Sequence, residues 1–125
     1  MDVDRNLTKE LPSFNEAEIQ YLADNFIGRL ATASATGQPH VVPVSYSFDG
    51  KAIVFGGWNL EKSLKFRNLA VNPKVAFVVD EVVSVKPWRV KGVEVRGRSE
   101  PIRSRNGVTG IRIIPVNIRS CGLGE

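Results

Sequence analysis

Few side chains in this sequence can do chemistry by themselves. There is one histidine, His40, and one cysteine, Cys121. A lone cysteine closes no disulfide within the chain and builds no multi-cysteine zinc site. A Ser-His-Asp set would have to be assembled on His40, and no nucleophile-elbow motif accompanies it. Neither a GxGxxG fingerprint nor a Walker loop is present. No catalytic side chain and no metal site is therefore expected, and any turnover would need a cofactor to carry the reaction.

Three stretches have the composition of binding surfaces. Between His40 and Phe48, side chains alternate as on a strand. Val42, Val44, Tyr46 and Phe48 share a bulky apolar face, whereas Val41, Pro43, Ser45 and Ser47 share a small one. The small face suits the floor of a flat pocket, and equally an edge strand in water, where Pro43 does least harm to the ladder. Gly56-Gly57-Trp58-Asn59 precedes a helix whose start carries Lys62, Ser63, Lys65, Arg67 and Asn68. Glycines admit a ligand to the backbone, and a helix start presents free N–H groups to phosphate. A solvated basic helix face would look the same. Pro87-Trp88-Arg89 pairs an indole with a guanidinium, a combination that covers a planar ring or plugs a barrel end. Arg96 and Arg98 share one face of the strand that follows.

These residues need a frame. Ser13 and Glu16 have the spacing of a capping box, and Ile19, Leu22, Ala23 and Phe26 follow at helical spacing. They predict a helix from about Phe14 to Asn25. The period then changes to two, with strands expected over Ile27–Ser34, His40–Phe48, Lys51–Gly56, Lys74–Asp80, Val90–Ser99 and Ile111–Ser120. Ala35 to Gln38 is a turn, and Asp49-Gly50 a hairpin signal of type I′. Asn59 is placed to cap a second helix, Leu60–Ala70, with Leu64 and Leu69 inward and Asn72-Pro73 ending it. Ser104 to Gly110 reads as a loop, and Pro115 argues for an edge or a bulge. Six strands with short connections and two short helices point to a mostly β fold, an antiparallel barrel, because closure removes exposed edges.

The bulk properties agree. At 125 residues the chain makes one domain, with residues 1–12 expected to be disordered and 13–125 to form the barrel. A chain of this size buries roughly two-thirds of its unfolded surface and needs no disulfide staples. The charged start at Met1–Glu10 has no signal-peptide pattern, and no apolar run nears the ~20 residues needed to span a bilayer. The expectation is cytoplasmic, with no membrane partner. A net charge of +4 suits an anionic partner without specifying one.

Taken together, the motifs resemble a known family. Leu30-Ala31-Thr32-Ala33, with Gly37-Gln38-Pro39-His40-Val41-Val42-Pro43-Val44, is similar to the opening of the pyridoxamine 5′-phosphate oxidase-like split-barrel superfamily. Ser63-Leu64-Lys65-Phe66-Arg67-Asn68-Leu69, with Asn72 to Asp80, resembles its phosphate-binding helix and the next strand. Pro87-Trp88-Arg89 through Gly97 is similar to a subgroup dependent on the deazaflavin coenzyme F-420. The resemblance covers about Phe14 to Leu123. It implies a homodimeric split barrel with two cofactor sites at the subunit interface. The cofactor phosphate would lie near Ser63, Lys65 and Asn68. Its ring would lie along His40, Val41, Val42 and Pro43 and near Gly56, Gly57 and Trp58, with Trp88 and Arg89 reaching over from the other subunit. In many members of the subgroup an arginine stands where this chain has Leu64, which removes one phosphate contact. The chain also stops soon after Gly122-Leu123. Without the C-terminal extension that pyridoxamine phosphate oxidases use to hold their substrate, vitamin B6 oxidation is not the expected activity.

The function implied is hydride transfer between F-420 and an unsaturated small molecule. FMN in the same site is the alternative, since both cofactors are anionic. A reading from another class is a non-catalytic barrel that carries a cofactor or binds single-stranded nucleic acid. Such nucleic-acid binders interleave aromatic and basic residues along a groove. Two Trp and two Tyr without that interleaving argue against a nucleic-acid partner.

Overall fold

The structure is a computed structural model that describes residues 11–124; the segment expected to be disordered therefore lies, for residues 1–10, outside the described residues. Helix α1, Glu16–Asp24, comes first. Strands β1, Ile27–Ala33, β2, Pro39–Phe48, and β3, Ile53–Phe55, follow. A 3-10 turn at Leu60–Lys62 leads into helix α2, Leu64–Val71. Strands β4, Lys74–Ser84, β5, Arg89–Ser104, and β6, Gly107–Cys121, complete the chain. The strands pair antiparallel and close in the order β1-β2-β3-β6-β5-β4, with β4 returning to β1. This is the expected mostly β, six-stranded antiparallel barrel with two short helices.

The barrel interior follows the period of two. Leu30 of β1, Val44 of β2, Ile53 and Phe55 of β3, Val75, Phe77 and Val79 of β4, Val93 and Val95 of β5, and Ile111, Ile113 and Ile118 of β6 fill it. Gly28 faces the same interior. A Cβ there would run into the Phe77 ring, so the glycine makes room for the phenylalanine.

Both helix starts differ from expectation. The capping box of α1 sits on Asn15 and Glu18 and leaves Ser13 and Glu16 out. Asn15 Oδ1 accepts from Glu18 N at 2.8 Å, and Asn15 N donates to Glu18 Oε1 at 2.9 Å. Asparagine and serine cap about equally well, so Glu18 decides. It is buried, and its second oxygen accepts from Ser120 Oγ at 2.7 Å, which ties α1 to β6. Phe26 is 74 % exposed where an inward side chain was expected. The helix ends at Asp24, so Phe26 lies in extended chain, where its carbonyl accepts from Tyr46 N at 3.1 Å. Ala23 is exposed as well, and the inward face is Tyr21 and Leu22.

At α2 the cap is Ser63, whose Oγ accepts from Phe66 N at 3.3 Å and donates to Leu60 O at 2.6 Å. Asn59 sits in the left-handed region at φ 57° and makes no capping bond. Starting the helix four residues later leaves Leu64 exposed in the first turn while Leu69 is buried.

β2, β4, β5 and β6 run longer than the pattern suggests, whereas β1 stops at Ala33 and β3 keeps only Ile53–Phe55 of the expected Lys51–Gly56. β4 continues to Ser84, and the expected Ser104–Gly110 loop contracts to a turn at Arg105-Asn106 between β5 and β6. The β2–β3 hairpin turns on Gly50 and Lys51, one residue later than the Asp49-Gly50 reading. Only Gly50 has positive φ, at 94°, and Asp49 N donates to Ala52 O at 3.4 Å. Type I′ needs positive φ at both central residues, so this turn is not the one expected. Asp49 instead stands at the base, its carboxylate accepting from Lys51 N and Ala52 N, both at 2.8 Å. Pro115 marks a bulge as expected: Gly97 pairs with Pro115 and Arg96 with Asn117, so Val116 is left over.

Candidate functional site

The site grows out of β2. Tyr46 N bonds Phe26 O on the β1 side, and Asp49 N bonds Ala52 O on the β3 side. Because backbone groups alternate sides along a strand, His40, Val42 and Val44 aim their amides at β1. Val41, Pro43 and Ser45 aim theirs away from it. The ladder to β3 covers only Tyr46–Phe48 against Ile53–Phe55. Among the described residues, β2 from Pro39 to Ser45 therefore has an open edge. Pro43 stands at a position facing that edge, so its missing N–H removes no ladder bond, which resolves how a proline fits in mid-strand. Beyond the last β3 residue the chain turns off through Gly56, Gly57 at φ 140° and Trp58, which is 93 % exposed.

Side chains at this strand divide as its alternation requires. Val41, Pro43 and Ser45 are exposed. Val42 packs against the core. His40 is half-buried on the inward side and stands opposite Thr32 of β1. Its Nδ1 is a buried atom with no hydrogen-bond partner. Beside it, Asn68 Nδ2 of α2 donates to Thr32 Oγ1 at 3.0 Å, with both residues buried. The strand start and the helix are thus joined through Thr32, which the sequence reading did not single out. The signal was available: Thr32 is the polar member of the inward series Gly28, Leu30, Thr32.

At the start of α2, Ser63 is committed to its cap. The N–H groups of Leu64 and Lys65 lie in the first turn, where no intrahelical acceptor exists. Lys65 is half-buried and has no carboxylate within salt-bridge distance among the described residues. Through Thr32 the fold links His40 and its strand β2 to Asn68 of α2, the helix whose N-cap is Ser63 and whose first turn carries Lys65. Trp88 and Arg89 stand elsewhere. Both are exposed, at the start of β5, and Arg89 lines a cleft of about 280 Å³ with Ala17, Tyr21 and Asp24 of α1.

Two phenols, Tyr21 buried and Tyr46 half-buried, mark the opposite end. Tyr46 donates its hydroxyl to Leu22 O at 2.7 Å, and burial pushes its pKa up to about 12. Tyr21 is also pushed up to about 12, by burial first and then by the negative charge of Glu81. No group of three His, Cys, Asp or Glu among the described residues is placed to hold a metal. No described helix is long and apolar enough to cross a membrane.

Comparison with known proteins places this arrangement. The sequence profile of the family described as pyridoxamine 5′-phosphate oxidase matches residues 14–111. A protein of Streptomyces rimosus subsp. rimosus, a 5a,11a-dehydrotetracycline/5a,11a-dehydrooxytetracycline reductase, is 43 % identical over 91 residues. The match takes in 71 % of this chain and 64 % of that protein, so this chain spans less than two-thirds of that relative's length. Among solved structures, an FAD-binding protein from Mesorhizobium loti aligns with a TM-score of 0.67 and 22 % identity, over 88 % of this chain and 96 % of that one. An F-420 reductase aligns with a TM-score of 0.67 and 22 % identity, over 85 % and 98 %.

Proposed function

The chain belongs to the pyridoxamine 5′-phosphate oxidase family, and on that premise we propose that it is an oxidoreductase that binds a flavin-type cofactor along the open edge of β2. In this reading the cofactor is F-420, and the acceptor or donor of its hydride is an unsaturated small molecule. The observation that carries the reading is the edge itself. It offers the Val41 N–H and C=O and the Pro43 C=O to the polar rim of a planar ring, over a floor of small side chains. His40 Nδ1, buried and without a partner, supplies a further polar contact at the same end.

Binding and orientation fall to this chain's own groups. Lys65 and the first-turn amides of α2 hold the phosphate, since an N-terminal turn and an unpaired ammonium both favour an anion. Asn68 fixes α2 to β1 through Thr32 and so sets the height of that anion site against β2. Gly56 and Gly57 let the ring approach the chain, and Trp58 walls it. When bound, the cofactor supplies or accepts the hydride. A second copy completes the site by bringing its Trp88 and Arg89 over the ring, which a single chain leaves open to water, so the active species is a homodimer.

The reductase name of the Streptomyces relative and the F-420 reductase among the structural neighbours support this choice. FMN is the second reading; the FAD named for the Mesorhizobium neighbour supports a flavin in the site without choosing FMN. Titrating oxidised F-420, FMN and a single-stranded oligonucleotide at about 0.15 M salt, where non-specific charge binding is weak, tests it. F-420 should bind at micromolar levels or tighter and FMN more weakly. The reverse order moves the function to the second reading. Oligonucleotide binding that persists at high salt, with neither cofactor bound, overturns the oxidoreductase assignment.

A further inference from the structure

One strand away from β2, the outer face of the barrel holds a cavity of about 700 Å³. Its floor is small and apolar, from Ala31 and Ala33 of β1 and Ala76 of β4, and Val116, the bulged residue of β6, stands at its side. Lys74 and Arg98 line the same cavity, and they are direct cross-strand partners in the β4–β5 ladder. Like charges directly opposite one another destabilise a sheet. Other cations here are relieved by carboxylates: Arg29 pairs with Asp80 at 3.0 Å, and Arg96, which also lines the cavity, with Glu94 at 2.7 Å. Lys74 and Arg98 are exposed, and among the described residues neither has a carboxylate within 4.0 Å. The cavity thus combines a flat apolar floor with two facing cations that lack a counter-charge.

We infer that this cavity is a second binding site, for an amphipathic organic anion whose flat apolar body lies on Ala31, Ala33 and Ala76 and whose anionic group sits between Lys74 and Arg98. The volume suits a ligand of drug-like size, since such sites run from roughly 300 to 1,000 Å³. The anion is recognised by side chains, because the β4 and β5 backbones are already paired in the ladder. A carboxylate, sulfonate or phosphate would serve alike. The site goes beyond the redox reading and stands without it, since no cofactor is needed to fill it.

The test uses the full chain and two fluorescent probes, anilinonaphthalene sulfonate and its uncharged analogue N-phenyl-1-naphthylamine. The sulfonate should saturate at one per chain. Lys74→Gln and Arg98→Gln should each weaken it by about tenfold, the loss of a charge-assisted hydrogen bond, and Lys74→Arg should restore it. Ala76→Leu should block the floor for both probes. The uncharged probe should bind more weakly and ignore both charge substitutions. Melting temperatures without probe should stay level or rise in Lys74→Gln and Arg98→Gln, because each relieves the like-charge pair. Equal sulfonate affinity in wild type, Lys74→Gln and Arg98→Gln overturns the proposal. So does an uncharged probe that binds as tightly as the sulfonate. Light scattering supplies a third contrary result: if Lys74→Gln and Arg98→Gln change the mass of the particle and wild type takes up no probe, the face joins copies of the chain.

Discussion

Asn68 Nδ2 donates to Thr32 Oγ1 at 3.0 Å, a side-chain bond between α2 and β1 with both residues buried. Removing one partner leaves the other's polar atoms buried and unpaired, which costs about 1–3 kcal/mol. Asn68→Ala and Thr32→Val should each lower the urea midpoint. The double variant Thr32→Val with Asn68→Leu should be less destabilised than the sum of the two singles. Strict additivity of the midpoint shifts would show that the bond carries no coupling.

Gly28→Ala should be destabilising by about 1–3 kcal/mol, the usual cost of overpacking a filled core. The added methyl meets the Phe77 ring, which is itself fixed edge-on against Tyr46 with centroids 5.3 Å apart. Phe77→Leu should recover part of the loss in the Gly28→Ala background while destabilising the wild type. Thermal melts of the four proteins decide it. A neutral Gly28→Ala would mean the interior has slack there.

Lys65→Ala should weaken cofactor binding by about tenfold or more, because charge-assisted hydrogen bonds contribute about 1.5–3 kcal/mol. Stability should change little, since Lys65 forms no ion pair among the described residues. Unchanged binding together with a lowered melting temperature would make Lys65 a packing residue. Equilibrium titration and a melt on the same sample separate the two.

The chain has two tyrosines, and both are pushed up to about 12. An absorbance titration at 295 nm of the folded protein should therefore show little phenolate near pH 10, the value of an exposed tyrosine. The sign follows from which state binds the proton. The folded state holds it between pH 10 and about 12 while the unfolded chain releases it, so this stabilisation is complete below pH 10 and is lost as pH rises to about 12. Melting temperature should fall across that window. A phenolate step near pH 10 with the fold intact would show that the rings are wet.

Much of this was legible where one signal dominated. The alternation of Val42, Val44, Tyr46 and Phe48 against Val41, Pro43, Ser45 and Ser47 fixed both the strand and its faces. Boundaries failed where two residues offered the same local chemistry. Ser13 and Asn15 are both good caps, and the buried contact between Glu18 and Ser120, 102 residues apart, selects Asn15. Asn59 and Ser63 compete in the same way before α2. Thr32 went unread because its partner lies 36 residues away, and Lys74 with Arg98 because facing strands do not announce their register in one dimension.

The open edge of β2 has a consequence for solubility. An exposed strand edge invites another chain to extend the sheet. Along Pro39–Ser45 the residues facing that edge are Pro39, Val41, Pro43 and Ser45, so every second donor position is a proline. An intruding strand would find carbonyls at each step but N–H groups only from Val41 and Ser45. The same prolines that leave room beside the strand also keep it from templating a growing ladder. Replacing both with valine would turn a guarded edge into one able to recruit copies of itself.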